Sequence, residues 1–312
     1  MMHSNISDFV EQLAILASVL EVSASPKPGN VHRFRDFGDT KFEHFLGAAI
    51  GAGAIWRTAA RRGILAELGE LEFSQIGVGD WVLAAIKEGT RWHKGRNPNL
   101  GIILLLIPLC AAAGASLAAG KHSIQELRNS LKTILRKTTV EDAVGVVKAI
   151  NLTRPGGLGT VQNYSVTDPN IINQLKTDEI DLRSLFKFCV DRDLICNEYL
   201  YDFQITFEEG VPIFKKEITK ADFNLATIQI FLELLAAHPD TLVSRKFGKE
   251  VAIQLSTRTK QILQKGGVFT NEGWQDVLLF DKELHEEGIN PGTIADLTAA
   301  TLFVCLYDGA RP

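Results

Sequence analysis

Residues 25–45, SPKPGNVHRFRDFGDTKFEHF, form the most polar stretch of a chain that is otherwise rich in alanine, leucine, isoleucine and glycine. Pro26 and Pro28 fix their own φ angles and favour extended backbone before them, so a helix cannot pass through this stretch. Gly29 permits a tight reversal and a close approach of the backbone to a ligand. The stretch therefore predicts a polar loop around which helices are arranged.

A new helix is predicted to begin directly after this loop. Thr40 and Glu43 have the spacing of a capping box, and Asp39 would share a helix face with Glu43. Cations, carboxylates and a helix start suit an anionic ligand and a divalent metal. The alternative is an ordinary interhelical loop with solvated charges, and composition alone leaves both interpretations open.

Five stretches of the chain, called blocks 1 to 5 below, resemble the motifs of a known family. In chain order they are residues 25–45 (block 1), Arg96–Gly101 (block 2, RNPNLG), Arg154–Gly159 (block 3, RPGGLG), Asp240–Arg245 (block 4, DTLVSR) and Asn290–Leu297 (block 5, NPGTIADL). Block 1 contains PKPGNVHR, which is similar to the PKPG signature of the triphosphoribosyl-dephospho-CoA synthase family. That family helps to make the prosthetic group of citrate lyase. The other blocks resemble its N-T-x-x-G, Arg-Gly, D-T-x-x-x-R and S-P-G-x-x-A-D-L elements in the same order.

Block 1 departs from the citrate-lyase branch of that family at two places. That branch usually has Asp where this chain has His32, and Gly-Ala-His where this chain has residues 37–39. The form PGNVHRFRDFGDTKFEHFL resembles instead a branch found in archaea and some bacteria. A different acceptor substrate is therefore a second interpretation beside 3′-dephospho-CoA.

The resemblance implies a transferase that joins ATP to 3′-dephospho-CoA. The 2′-hydroxyl of the acceptor attacks C1′ of the ATP ribose, adenine leaves, and the triphosphate stays on the transferred ribose. Such a glycosyl transfer needs negative charge near an oxocarbenium-like centre, a base for the hydroxyl, and cations or a metal for the triphosphate. A nucleotide-binding protein without catalytic activity is the third interpretation.

The polar residues of the five blocks supply the groups that this reaction needs. As catalytic residues we expect His32, Asp36, Asp240 and Asp296. As substrate-binding residues we expect Lys27, Asn30, Arg33, Asn97, Asn99, Arg154 and Arg245. Because Mg²⁺ binds through few carboxylates together with substrate phosphates, it is the expected metal. Its expected ligands are Asp36, Asp39 and Glu43.

Composition excludes several other classes of protein. The 33 basic and 37 acidic residues give a net charge of −4, which offers no electrostatic basis for nucleic-acid binding. The four cysteines are widely scattered without a C-x-x-C pair, so neither a zinc site nor a disulfide framework is expected. The N-terminus lacks a secretory signal pattern. We therefore expect a cytoplasmic enzyme with small-molecule substrates and no membrane partner, and a homo-oligomer remains open.

The pattern of apolar residues predicts an all-α fold built as one domain over residues 1–312. Leu100–Ala119 carries no charge and is long enough to span a bilayer. Pro108 and many small residues favour instead a buried central helix of a large helical domain. Further helices are expected over Thr40–Leu68, Asp181–Leu194 and Ser244–Leu263, with one small hairpin left open over residues 203–214.

Overall fold

The computed structural model describes residues 2–38, 40–93, 99–158, 161 and 163–312. Helices make up 71% of the chain, and the described residues form no strand, which confirms the all-α class. Two isolated β-bridges, His32–Arg35 and Phe37–Thr40, tighten the loop of block 1.

The described part of the chain forms sixteen α-helices. In chain order they are α1 (Met2–Ser23), α2 (Phe42–Gly51), α3 (Gly53–Glu67), α4 (Val78–Gly89), α5 (Leu100–Ala118), α6 (Ile124–Arg136), α7 (Val140–Thr153), α8 (Ile171–Thr177), α9 (Leu182–Lys187), α10 (Leu194–Leu200), α11 (Val211–Glu217), α12 (Phe223–Ala237), α13 (Thr241–Phe247), α14 (Lys249–Gln264), α15 (Asn271–Glu287) and α16 (Gly292–Tyr307). Short 3₁₀ turns cover Phe73–Gln75 and Gly267–Phe269, and a π-helical segment covers Ile205–Gly210.

Helix α5 lies at the centre of the fold, where it packs against α1, α3, α6 and α16. It is the one helix in the described ranges that is long and apolar enough to cross a membrane, by length and composition alone. Of the 18 most apolar consecutive residues of α5, 89% are buried inside the protein. A helix that is apolar on all sides and covered by other helices is a core helix, which agrees with the sequence prediction.

Two glycines allow α3 and α5 to approach closely. A Cβ atom at Gly63 would lie 1.8 Å from the carbonyl oxygen of Ala111, and one at Gly114 would lie 2.1 Å from that of Ala60. Each glycine thus faces the backbone of the opposite helix. The small residues of the core helix are needed for this packing rather than for flexibility.

The substitution Gly114→Ala is expected to lower the free energy of unfolding by about 1–3 kcal/mol, because the added methyl group meets backbone that cannot move aside cheaply. Urea denaturation followed by circular dichroism measures this change. Gly89→Ala is the matched control, since its Cβ would find its nearest neighbour at 3.7 Å, in Ala48. Equal stability of the two variants would contradict this account of the α3–α5 contact.

Several helix boundaries differ from the sequence prediction. The stretch 40–68 forms two helices because the chain turns at Ala52, and the stretch 244–263 is divided at Gly248, whose φ is 99°. The Thr40–Glu43 capping box is not formed. Helix α2 begins at Phe42 instead, and the carboxylate of Asp36 accepts a hydrogen bond from the Phe42 N–H at 3.0 Å.

The hairpin considered for residues 203–214 is wrong, because this segment is helical. The π-helical turn that begins at Ile205 runs directly into α11. The fully buried carboxylate of Glu198 accepts hydrogen bonds from the backbone N–H groups of Ile205 and Thr206 and from the Thr206 hydroxyl. Those bonds satisfy the backbone N–H groups at the start of the helical segment. A sequence pattern alone does not reveal this contact.

Glu198 makes the stability of the protein depend on pH. Burial raises the pKa of Glu198 to about 7, and its three hydrogen bonds offset this only in part. A carboxyl whose pKa is raised on folding stabilises the protein fully below its unfolded pKa, and this contribution is lost as the pH rises through the folded pKa. The free energy of unfolding is therefore expected to fall by about 3 kcal/mol between about pH 4 and about pH 8 through this group.

The variant Glu198→Gln cannot ionise and should lose this part of the pH dependence. Urea titrations of both proteins at several pH values give the difference directly, and other titrating groups cancel in it. A pH-independent difference between wild type and Glu198→Gln would show that Glu198 does not titrate in this range.

Candidate active site

All five blocks contribute to the wall of one cavity with a volume of about 580 Å³. This volume lies in the range of small-molecule sites. The contributing residues of the five blocks are Phe37, Gly38 and Thr40 of block 1, Leu100 and Gly101 of block 2, Arg154, Pro155, Gly156 and Leu158 of block 3, Leu242 and Arg245 of block 4, and Asn290, Thr293 and Asp296 of block 5. Stretches from both ends of the chain therefore meet at one place, as expected when helix ends gather at one end of a helical domain.

The cavity wall contains both polar and apolar residues. Its cations and amides include Arg154, Arg192, Arg245, Lys246 and Asn290, and its carboxylates are Asp193 and Asp296. Its apolar residues include Leu104, Ile150, Leu185, Phe186 and Phe188. Such a wall suits a ligand that carries both phosphates and an uncharged arm.

Asp296 is the carboxylate of block 5 that reaches the cavity. It is partly exposed on α16 and lies so close to Gly101 that any side chain at position 101 would collide with it. The N–H of Ile102, in the first turn of α5, donates a hydrogen bond to it. Burial, together with the negative charges of Glu21 and Asp240, raises the pKa of Asp296 well above its ordinary value. Asp296 lies near the start of α16, as the sequence predicts, but its carboxyl contacts the first turn of α5.

Asp240 is fully buried and joins the first turns of two helices. Its carboxylate accepts hydrogen bonds from the N–H of Val243 in α13 at 2.8 Å and from the N–H of Ile294 in α16 at 2.9 Å. Burial raises the pKa of Asp240 to about 6 despite these bonds. Asp240 is not part of the cavity wall. Instead it holds the turn of α16 that precedes Asp296.

A chain of buried polar groups connects the interior to the cavity wall. Lys27 forms an ion pair with Glu21 and donates a hydrogen bond to Asn30 at 3.2 Å. Asn30 donates in turn to Asn290 at 3.0 Å, and Asn290 lines the cavity. Lys27 and Glu21 are both fully buried, and burial lowers the pKa of Lys27 while it raises the pKa of Glu21. Lys27, which the sequence predicted to bind substrate, therefore lies behind the cavity wall.

His32 is buried against α15. Its Nε2 lies 3.3 Å from the carboxylate of Asp281, and its Nδ1 lies 3.0 Å from the hydroxyl of Ser25. Burial opposes ionisation of Asp281, but hydrogen bonds from His285 and His32 outweigh it and lower the pKa of Asp281 to about 2. Asp281 also accepts a bond from the N–H of Gly29 at 3.1 Å. This cluster fixes the loop of block 1.

Two predicted cations do reach the cavity. Arg154 ends α7 in a left-handed conformation with a φ of 45° and is exposed there. Arg245 forms an ion pair with Asp193 at 2.6 Å and also donates to the carbonyl oxygen of Arg192 at 3.3 Å. The Arg245 guanidinium is therefore positioned by its neighbours before any ligand arrives.

Other predicted residues lie outside the cavity wall or outside the described ranges. Arg33 is exposed and donates to the carbonyl oxygen of Ser23 at the end of α1. Asp36 and Glu43 are exposed near α2. Asn99 is buried directly before α5. Asp39 and Asn97 belong to the part of the chain that the structure does not describe.

Sequence reasoning missed several residues of this region. Cys189 and Cys196 form a disulfide in the cavity wall, which corrects the expectation that no disulfide would be present. The two cysteines are separated by a seven-residue step rather than a C-x-x-C pattern, so spacing provided no signal. Glu21 and Asp281 lie in helices of ordinary composition, and only their burial marks them as unusual.

The chain is similar to proteins of a known family. A profile of the family described as ATP:dephospho-CoA triphosphoribosyl transferase matches residues 7–311. A protein from Streptococcus pyogenes serotype M3 (strain MGAS315), named "Probable 2-(5''-triphosphoribosyl)-3'-dephosphocoenzyme-A synthase", is 22% identical, and the match covers 96% of each chain. The enzyme of that name from Escherichia fergusonii is 36% identical over 104 residues, which cover 33% of this chain and 34% of that protein.

A solved structure has the same fold. It comes from Archaeoglobus fulgidus and was solved as a candidate triphosphoribosyl-dephospho-CoA synthase. The TM-score is 0.65 with 28% sequence identity, and the match covers 87% of this chain and all of that one. The fold is thus shared over most of the chain.

Proposed function

The chain belongs to the ATP:dephospho-CoA triphosphoribosyl transferase family, and we propose that the cavity lined by the five blocks is where it joins ATP to 3′-dephospho-CoA. The observation that supports this proposal is that every block contributes at least one residue to the same cavity wall. As a member of this family the protein is a transferase with ATP and dephospho-CoA as its small-molecule substrates.

The proposed reaction forms one bond and breaks one bond at C1′ of the ATP ribose. The acceptor 2′-oxygen bonds to C1′ while the C1′–N9 bond breaks, and the electron pair of that bond leaves with adenine. The departing adenine must gain a proton and the hydroxyl must lose one, so the proton balance is zero. The triphosphate takes no part in the bond changes and remains on the transferred ribose.

We assign the proton donor for adenine to Asp296. Its pKa is raised well above the ordinary value of an aspartate, which favours the protonated form that a general acid needs. The hydroxyl proton is proposed to pass to water in the cavity. Arg154 and Arg245 lie in the same wall and are proposed to hold the triphosphate, since guanidinium groups bind phosphate oxygens in pairs.

The buried members of the predicted set are proposed to position the site rather than to touch substrate. Asp240 fixes the first turn of α16, and His32 and Asn30 fix the loop of block 1. Lys27 supports Asn290 through Asn30. These contacts hold cavity residues in place, and each carboxylate oxygen of Asp240 accepts a backbone hydrogen bond.

Mg²⁺ is proposed to enter together with ATP. The described residues contain no cluster of three metal-binding side chains, so a metal site formed in advance does not fit this part of the chain. Asp36 and Glu43 are exposed beside Phe37 and Thr40 of the cavity wall. Because Mg²⁺ uses few carboxylates and several phosphate or water oxygens, these two side chains would suffice with the triphosphate. The two carboxylates would hold the metal ion, and the metal ion would neutralise charge on the phosphates.

Isothermal titration of ATP with and without Mg²⁺ tests the metal assignment. The variants Asp36→Asn and Glu43→Gln should weaken binding of Mg²⁺-ATP and leave binding of metal-free ATP unchanged. Unchanged Mg²⁺-ATP affinity in both variants would reject these ligands.

Release of free adenine tests the proposed function. The protein, ATP, Mg²⁺ and 3′-dephospho-CoA together should yield adenine and a product whose mass equals the acceptor plus the triphosphoribosyl group. ATP alone should yield none. Adenine release with another cofactor precursor but not with 3′-dephospho-CoA would favour the alternative acceptor, and nucleotide binding without adenine release would favour a non-catalytic binding protein.

The proposed setting is the cytoplasm, where ATP and dephospho-CoA are available. Burial of α5 inside the protein supports recovery without detergent. Fractionation of expressing cells tests this, and recovery only from detergent-extracted membranes would reject it. A second copy of the chain as partner remains a proposal that light scattering can test.

A further inference from the structure

The disulfide between Cys189 and Cys196 lies in the wall of the cavity. Both cysteines line it, Cys189 is partly exposed, and Cys196 is buried. The other two cysteines, Cys110 and Cys305, are buried in the core helices α5 and α16. A reactive sulfur pair therefore faces the space that we assign to substrates.

Aromatic and ionic residues both lie near this pair. Phe188 directly precedes Cys189 in the chain, Phe186 lies three residues before it, and both phenylalanines line the same cavity wall. The ring centroids of Phe188 and Tyr164 are 4.8 Å apart. The loop closed by the disulfide carries Asp193, which holds Arg245 at 2.6 Å. An uncharged arm can thus lie against the sulfurs while phosphates lie against the cations.

The acceptor dephospho-CoA has this distribution of groups. A diphosphate bridge joins its adenosine to a largely uncharged pantetheine arm, and this arm ends in a thiol. When the diphosphate lies beside the ATP triphosphate among the cations of the cavity wall, the arm is free to lie against the apolar residues of the same wall. The substrate's own thiol then meets the one disulfide that the described residues form.

We propose that Cys189 and Cys196 form a thiol–disulfide exchange site for the pantetheine thiol of the acceptor. This inference rests on the proposed function, because it requires the acceptor to bind in this cavity. The acceptor thiolate attacks Sγ of Cys189, the more exposed sulfur, and a new disulfide bond forms between them. The Cys189–Cys196 bond breaks, and its electron pair leaves on Sγ of Cys196 as a thiolate. One disulfide is consumed and one is formed, so no oxidant or reductant is needed.

Exchange has a consequence for catalysis. The tethered arm occupies space in the cavity, and opening of the loop frees the segment that positions Arg245 through Asp193. The disulfide form of the protein should therefore lose turnover slowly in the presence of its acceptor. Added dithiothreitol should restore turnover, because the protein with both cysteines reduced cannot form a disulfide with the acceptor thiol by exchange.

Intact-mass spectrometry tests the exchange. Protein in the disulfide form is incubated with 3′-dephospho-CoA without reductant and is then acidified. A mass increase of one acceptor is expected, and dithiothreitol should remove it. Because binding raises the local concentration of the thiol, the adduct should form at least about 10-fold faster than with glutathione at equal concentration. The S-methylated acceptor, which has no free thiol, should give no adduct.

Variants separate the site from other thiols of the chain. Cys189→Ala with Cys196→Ala should form no adduct, whereas the matched control Cys305→Ala should form it as the wild type does. Equal rates with glutathione and dephospho-CoA would overturn the inference. Adenine release without any adduct would overturn it as well and would leave the proposed function intact. An adduct on the disulfide form, together with no adenine release by the dithiothreitol-treated protein, would support the exchange site and reject the proposed function.

Discussion

Asp296→Asn is expected to lower the turnover number by about 10²–10³, which is the usual cost of losing one group that acts in the transition state. The amide cannot give a proton to adenine as the C1′–N9 bond breaks. It retains an oxygen that can accept the hydrogen bond of the Ile102 N–H. We therefore expect the melting temperature to change little. Adenine release under saturating substrates and differential scanning calorimetry measure the two quantities on the same protein.

The pH profile gives a second readout for Asp296. A general acid with a raised pKa is active below that pKa, so wild-type turnover should fall as the pH rises through it. The Asp296→Asn variant should lack this fall.

Asp240→Asn is the matched comparison. Its carboxylate accepts from two backbone N–H groups, and an amide has only one acceptor oxygen. Loss of one buried hydrogen bond should cost about 1–3 kcal/mol of stability. If Asp296→Asn lowered the melting temperature and left turnover normal, its carboxyl would be a helix-start charge only.

Lys27→Met is expected to lower the free energy of unfolding by about 3–5 kcal/mol, because it leaves the buried carboxylate of Glu21 without its partner. Both side chains are fully buried, and no second partner is available for Oε2 of Glu21 among the described residues. Glu21 would respond by holding a proton, since burial already raises its pKa. Urea denaturation measures the loss.

Two further variants show whether the pair or the packing is responsible. Glu21→Leu combined with Lys27→Met removes both charges and should recover much of the lost stability. Lys282→Met is the surface control, because Lys282 and Glu286 form an exposed pair at 3.8 Å that should contribute less than about 1 kcal/mol. Similar losses for Lys27→Met and Lys282→Met would contradict the buried-pair account.

Local signals in the sequence predicted local structure well. Ser123 caps α6 through the N–H of Glu126, and Thr139 forms a capping box with Asp142 at the start of α7. The S-x-x-E and T-x-x-D spacings that predict these two helix starts are visible in the sequence. These patterns depend on neighbours within one helical turn, so they can be recognised without knowledge of the fold.

The candidate site was predictable in part. The resemblance marked five blocks, and all of them reach the cavity. It did not separate residues that line the cavity, such as Arg154 and Asp296, from residues that hold the wall from behind, such as Lys27 and Asp240. That distinction depends on which way each side chain points after helices pack, and no periodicity in the sequence encodes it.

Helix breaks and distant partners were not predictable from pattern. Gly248 and Ala52 interrupt segments whose apolar spacing continues across the break. The Cys189–Cys196 bond depends on the turn between α9 and α10, and the Lys27–Glu21 pair depends on how the loop of block 1 folds back on α1. In each case a tertiary contact overrides a local preference.

Crystallography of the protein soaked with ATP and Mg²⁺, without acceptor, tests the central claim most directly. We predict nucleotide density in the cavity of the five blocks, with the triphosphate against Arg154 and Arg245 and the adenine within hydrogen-bond distance of Asp296. Nucleotide density at another surface, for example the open groove lined by Lys216, Lys220 and Lys260, with the cavity empty, would contradict the claim.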